Sequence, residues 1–396
     1  MREIKSLGEV AEKLAGGKHL VFHASVSESQ ELGKQLVEIG DRCAGLTIET
    51  FMPGERPAYV GDPRFSVSTV VPGGHLRAAL NDGTVRPIRE SLFEQFQAYS
   101  LGRRRADVLV LQVSPPDAAG TVSLGPSVGI VPQVLAQNPF VIGVINKHVP
   151  VTNASIPAQK LDVVLNIDAP LATYDLGQID PVDQKIADLV LEQLAPGITI
   201  EVGMGGTPDA VMMALSNLDD LTIHTGLIND TARHVIEAGR LRQAVTTTMA
   251  VGSRSFYQWL HNNDMVDFKP ISETHDVERL AKLPRFHAVN GALQVDLAGN
   301  VNSERIGSRL VSLPGGLPDF AAGARRSAGG CNIIVLRSTA GRSRTSTIVA
   351  KVDHTTLDGS LVDMIVTENG VANLRNLAPS KRAMAIAAIA DADAEI

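Results

Sequence analysis

Short apolar runs rich in β-branched residues alternate along this chain with segments of helical periodicity. Runs at 108–113, 140–146, 162–168 and 198–203 predict strands, as do 221–226, 244–252, 332–337 and 363–368. Several are apolar at successive positions rather than alternating, the pattern of strands covered on both faces of a parallel sheet. Between them, apolar positions three and four apart predict helices over 28–39, 182–194, 208–218 and 231–239. Pro208 and Asp209 stand where the third of these would begin, in keeping with helix start signals. The first 17 residues carry an amphipathic helical pattern without the apolar core of a signal peptide. Strand–helix alternation of this kind predicts open α/β sheets. A boundary is expected at Pro196-Gly197, after a long helix and before a fresh strand, giving domains 1–195 and 196–396.

Composition adds exclusions. The 396 residues are 44% hydrophobic and 20% charged, within the globular range and long enough for two cores. Net charge is −7, and the one basic run, Arg103 to Arg105, is isolated, so no basic stripe for nucleic acid is present. No stretch reaches the 18 or so apolar residues of a membrane helix. A soluble, cytoplasmic protein without nucleic-acid or membrane partners is expected. Cys43 and Cys331 are far apart and lack a CxxC partner, and the ten histidines show no metal-binding spacing. No metal is therefore expected.

Three segments have the form of active-site loops. Glu201-Val-Gly-Met-Gly-Gly206 runs from a strand through a glycine turn to a helix start, where unpaired backbone N–H groups can meet an anion or oxyanion. It lacks the third glycine of a dinucleotide fingerprint, and a plain strand–helix turn has the same form. Gly315-Gly316 precedes an acid and an aromatic residue, and Glu368 stands at a strand end followed closely by Gly370. Gly125-Pro-Ser127-Val-Gly129 matches GxSxG formally, but Pro126 before the serine opposes a nucleophile elbow.

Taken jointly, these segments resemble the acetyl-CoA hydrolase/transferase family, with similarity to 4-hydroxybutyrate/acetate CoA-transferases. Ser114-Pro-Pro-Asp117-Ala-Ala-Gly120-Thr-Val-Ser123-Leu-Gly125 resembles its SPPDxxGxxSLG signature. Glu201-Val-Gly203 resembles a Q-x-G strand turn, Leu221-Thr-Ile-His224-Thr225 an L-G-I-H-T strand, and Gly315-Gly-Leu-Pro-Asp-Phe320 a G-G-x-x-D-F loop. Asn146 to Pro150, Asn290 to Val301 and Thr367 to Ala372 match further motifs in family order.

The resemblance implies two related open α/β domains of the CoA-transferase type with the active site between them. It implies a coenzyme A thioester as substrate, no permanent cofactor, a small carboxylate or other acyl acceptor as second substrate, and a homodimer or higher homo-oligomer. It also implies covalent catalysis, in which a glutamate takes the acyl group and then CoA while backbone amides stabilise the oxyanions. Those amides fall on Val202 and Gly203, and on Gly315 or Gly316.

One position departs from the family. The glutamate follows H-T directly, and here the run reads His224-Thr225-Gly226. The Gln of the first glycine turn is Glu201. Catalytic candidates are therefore Glu201, Glu368 and His224. Candidates for substrate or oxyanion contact are Val202, Gly203, Gly205, Gly226, Asn229, Gly315 and Gly316. Three expectations follow. The leading one is hydrolysis or direct acyl transfer from an acyl thioester without a glutamyl-CoA intermediate. The second is CoA transfer through Glu201 or Glu368 as substitute carboxylate. The third is a catalytically silent acyl-CoA-binding subunit of a paralogous transferase. Loss of the glutamate side chain is also expected to free volume beside Gly226.

Overall fold

The computed structural model describes residues 2–175 and 177–393. The chain forms two compact units, Met1–Asp175 with Thr248–Ser272, and Leu176–Thr247 with Glu273–Ile396. The division expected at 195/196 therefore falls inside the second unit. The physical reason is the helix Pro181–Leu191, which packs on the helix Gly206–Ala214 and the strand Met364–Thr367. Just before and within that helix, Asp180 and Asp183 also bind Arg337.

The first unit is built on an eight-stranded sheet. Across it lie Arg2–Glu3, Val163–Ile167, Phe140–Asn146, Val108–Val113, His19–Phe22, Thr47–Thr50, Ser66–Thr69 and Val85–Pro87. Every pairing is parallel. Val108–Val113 is buried at all six positions, apolar at every one but Gln112, as a strand covered on both faces requires. The amphipathic N-terminus does not form an α-helix. Arg2–Glu3 joins the sheet edge and Leu7–Lys13 is a 3-10 segment, interrupted where Val10 leaves helical geometry at φ −131°. Ser127 is fully buried in a bridge to Met249, with no strand–turn–helix elbow around it. Arg103 and Arg105 are exposed, whereas Arg104 donates to Glu90 at 3.0 Å.

The second unit carries a six-stranded sheet in the order Thr222–Ile223, Thr199–Val202, Phe286–Gly291, Cys331–Val335, Met364–Thr367 and Gly370–Asn373. The first five are parallel, and the last closes an antiparallel hairpin. Cys331 is a buried strand residue whose thiol burial pushes up to about 12, so it is a core side chain and not a nucleophile. One apolar core, with Val295, Ile334, Ile348, Ile365 and Ile386, lies beside the strands Cys331–Val335 and Met364–Thr367. A smaller one joins Leu280, Phe286, Ala288, Phe320 and Ala324. Because the main strands run parallel, their carboxyl ends share one edge. That edge receives Gly203, His224 to Gly226, Arg337 and Glu368. No described helix is long and apolar enough to cross a membrane.

Candidate active site

All ten residues singled out from the sequence lie in the second unit. The strand Thr199–Val202 ends at Gly203, whose amide donates to Val289 O at 2.9 Å. This corrects one expectation: the Gly203 N–H belongs to the sheet ladder and is not free for an oxyanion. Glycine is needed there for a different reason. A Cβ at Gly203 would lie 2.6 Å from Asn290 Oδ1. Val202 is buried and its carbonyl accepts from Thr225 Oγ1 at 3.2 Å. Gly205, at φ 130°, precedes the helix Gly206–Ala214, whose N-terminus has no side-chain cap. Its first turn holds an acid of its own, because Asp209 is buried there.

Glu201 is fully buried and accepts from Asn290 Nδ2 at 2.8 Å. Burial pushes its carboxyl up to about 8, against the weaker opposing effect of that hydrogen bond. Near neutral pH it is a protonated acid, which is a poor nucleophile. Glu368 is half-buried, and both its oxygens are engaged, by the Ser338 amide at 2.8 Å and the Ser338 hydroxyl at 2.7 Å. It pins the turn after the strand Cys331–Val335. Asn229 also has a folding role. It caps the helix Asp230–Glu237 by accepting from Thr231 N at 3.0 Å, and its Nδ2 donates to Asp209 Oδ1 at 2.8 Å. It is buried, and these contacts engage both its amide oxygen and its amide nitrogen.

His224 donates from Nε2 to the Thr274 carbonyl at 3.0 Å, since a carbonyl can only accept. Its ring stands edge-on to Phe286. Burial holds its pKa below the usual imidazole range. Thr225 anchors the same turn through its amide, which donates to Thr246 O at 2.9 Å. Gly226 follows, buried.

The side chain against Gly226 is His275, which the sequence reasoning did not single out. A Cβ on Gly226 would lie 2.9 Å from His275 Nε2, 3.1 Å from its Cε1 and 3.3 Å from Phe320 Cε2. A Cβ on Gly316 would lie 2.8 Å from the same Nε2 and 2.9 Å from Phe320 Cε2. The imidazole is thus held between the two glycines that the sequence placed in separate motifs. Gly315, at φ 59°, makes the turn that brings Gly316 there, as cap of the helix Leu317–Arg326.

His275 is fully buried, and its Nδ1 lies 2.8 Å from Thr274 Oγ1. Phe320 packs on the ring at 4.5 Å between centroids. Nε2 has no hydrogen-bond partner among the described residues. Burial lowers the His275 pKa to about 3, so the ring is neutral. The volume expected to open beside Gly226 is therefore filled by this ring. No sequence spacing signals it, because three distant segments meet only in the fold.

Among the described residues no group of His, Cys, Asp and Glu is arranged to hold a metal. A small pocket in the first unit, lined by Val21, Phe22, Phe51, Leu109, Val128 and Ile271 among others, includes none of the ten candidates.

Residues 1–172 match the acetyl-CoA hydrolase/transferase N-terminal domain and 252–395 its C-terminal domain. The chain is 29% identical over 394 residues to the 4-hydroxybutyrate coenzyme A transferase of Clostridium kluyveri, covering 96% of this chain and 92% of that one. It is 30% identical over 311 residues to the butyryl-CoA:acetate CoA-transferase of Anaerostipes caccae, covering 72% and 69%. It superposes on the crystal structure of a 4-hydroxybutyrate CoA-transferase from Porphyromonas gingivalis with a TM-score of 0.82 at 26% identity, covering 98% and 94%. With both domain matches in chain order, and with this fold of two α/β units, the chain belongs to the acetyl-CoA hydrolase/transferase family.

Proposed function

We propose that the chain acts on an acyl thioester of coenzyme A by hydrolysis or direct acyl transfer, without forming a glutamyl-CoA intermediate. The observation that carries this reading is the His275 imidazole packed against the point where a side chain on residue 226 would begin. A family glutamate at 226 is absent from the sequence, and a Cβ there would press on that ring. Neither substitute carboxylate fits the nucleophile's part well. Glu201 is buried and protonated near neutral pH, and Glu368 is bound to Ser338 through both oxygens. The Gly315–Gly316 turn, with no side-chain cap on the helix that follows, supports retention of an oxyanion-binding loop.

The names of the relatives favour a second reading, CoA transfer between carboxylic acids. Incubation with a panel of acyl-CoAs, with and without acetate, separates the two. Hydrolysis predicts free CoA without acetate and no borohydride-reducible glutamyl thioester. Acetate-dependent exchange with a trapped thioester on Glu201 or Glu368 would refute the proposal. No reaction in either condition would leave the chain a silent subunit.

A further inference from the structure

We propose that His275 replaces the absent carboxylate as the reacting group of this site, its Nε2 serving as the base that activates water against the acyl thioester. This inference rests on the hydrolytic reading above. Three observations carry it. First, Nε2 is a buried polar atom with no protein partner among the described residues, a condition that calls for a water, a ligand or a chemical role. Second, it lies against Gly226 and Gly316, residues of two family motifs, and neither interposes a side chain. Third, the ring is held in one orientation. Thr274 Oγ1 lies 2.8 Å from Nδ1, and Phe320 covers the ring at 4.5 Å between centroids.

The Thr274 contact accommodates the tautomer the chemistry needs, because a hydroxyl can accept from Nδ1–H. When Nδ1–H donates to Thr274 Oγ1, Nε2 carries the lone pair. In the proposed step Nε2 takes a proton from water as the water oxygen bonds to the thioester carbonyl carbon. The carbonyl π electrons move to its oxygen. The tetrahedral oxyanion then collapses, the C–S bond breaks, and Nε2–H returns the proton to the departing sulfur. The products are the carboxylic acid and CoA thiol, and the imidazole is neutral again. The Nε2 of His224 is not available as a base, since its proton is committed to the Thr274 carbonyl.

The test uses the full chain. His275→Gln and His275→Ala are expected to lower kcat for CoA release from acetyl-CoA and butyryl-CoA by roughly 10²–10⁴-fold, the scale of one general base. KM is expected to stay within about threefold of wild type, since uniform binding is untouched. A second readout does not need the variants to fold. In wild-type protein labelled with ¹⁵N-histidine, the His275 Nε2 resonance is expected to shift when the thioether analogue acetonyl-CoA is added. An active wild type with His275→Gln at full kcat, or an analogue that binds without moving that resonance, overturns the inference alone. A wild type inert toward every acyl-CoA overturns both it and the hydrolytic reading.

Discussion

Alanine at Gly226 is the smallest change that tests the packing of this site. Gly226 is not among the residues at positive φ, so the backbone accepts alanine and any cost is steric. The new methyl would lie 2.9 Å from His275 Nε2, 3.1 Å from Cε1 and 3.3 Å from Phe320 Cε2. Carbon contacts normally settle near 3.5–4.0 Å, so at least two of these are repulsive. The ring has little room to yield, with Nδ1 beside Thr274 Oγ1 and Phe320 against its face. Overpacking of this kind costs about 1–3 kcal/mol. His275→Ala removes the obstruction and leaves a cavity that the alanine methyl partly fills. The double variant should therefore be more stable than the sum of the singles by about 0.5–3 kcal/mol, the range for residues in direct contact. The sole tryptophan, Trp259, lies in the first unit, so its fluorescence does not report on this site. Urea-dependent hydrogen exchange in peptides spanning 199–202 and 331–335 follows the second unit instead. If Gly226→Ala lies within about 0.5 kcal/mol of wild type and adds simply to His275→Ala, the ring is not against Gly226 and the reasoning fails.

Glu201→Gln should change how stability depends on pH. The folded chain keeps a proton on Glu201 up to about 8, whereas the unfolded chain releases it near its ordinary value of 4.5. The protonated acid's contribution is therefore present below about 4.5 and is lost as pH rises toward 8. Gln keeps an oxygen for Asn290 and carries no charge, so the variant should match wild type at pH 5 and exceed it at pH 8–9 in urea melts. Parallel pH dependences would contradict this. Arg337→Ala should destabilise the second unit by on the order of 2 kcal/mol, between the values for exposed and buried pairs. It strips Asp183 of its guanidinium partner and leaves mainly Thr207 Oγ1 at 2.6 Å, and Asp183→Asn in the same background should recover most of the loss. Thermal denaturation of the two variants measures both effects.

The strands over 108–113 and 140–146 were legible to the residue because apolar side chains fill consecutive positions. The run 221–226 was read too long. Only Thr222–Ile223 is strand, and beyond it His224 makes a single bridge to Thr246. The run 244–252 breaks at Thr248, whose carbonyl accepts from Val128 N and whose hydroxyl accepts from Gly129 N. There the chain passes from the second unit to the first, a tertiary event with no local signature. Gly226 stood out because a motif surrounds it. His275 did not, because its importance comes from what lies across from it and not from its sequence neighbours.

The paired glycines around His275 also bear on how this site can change over generations. A glutamate arriving at 226 while the imidazole is in place meets a filled space, and a residue larger than glycine at 316 meets the same ring. The three positions are therefore epistatic, and the order of substitution matters. Position 275 must shrink before 226 can regain a side chain, and the intermediate carries a cavity with neither group in it. A glutamate at 226 is thus reached only through a step that weakens the fold, so packing holds the site in its present form.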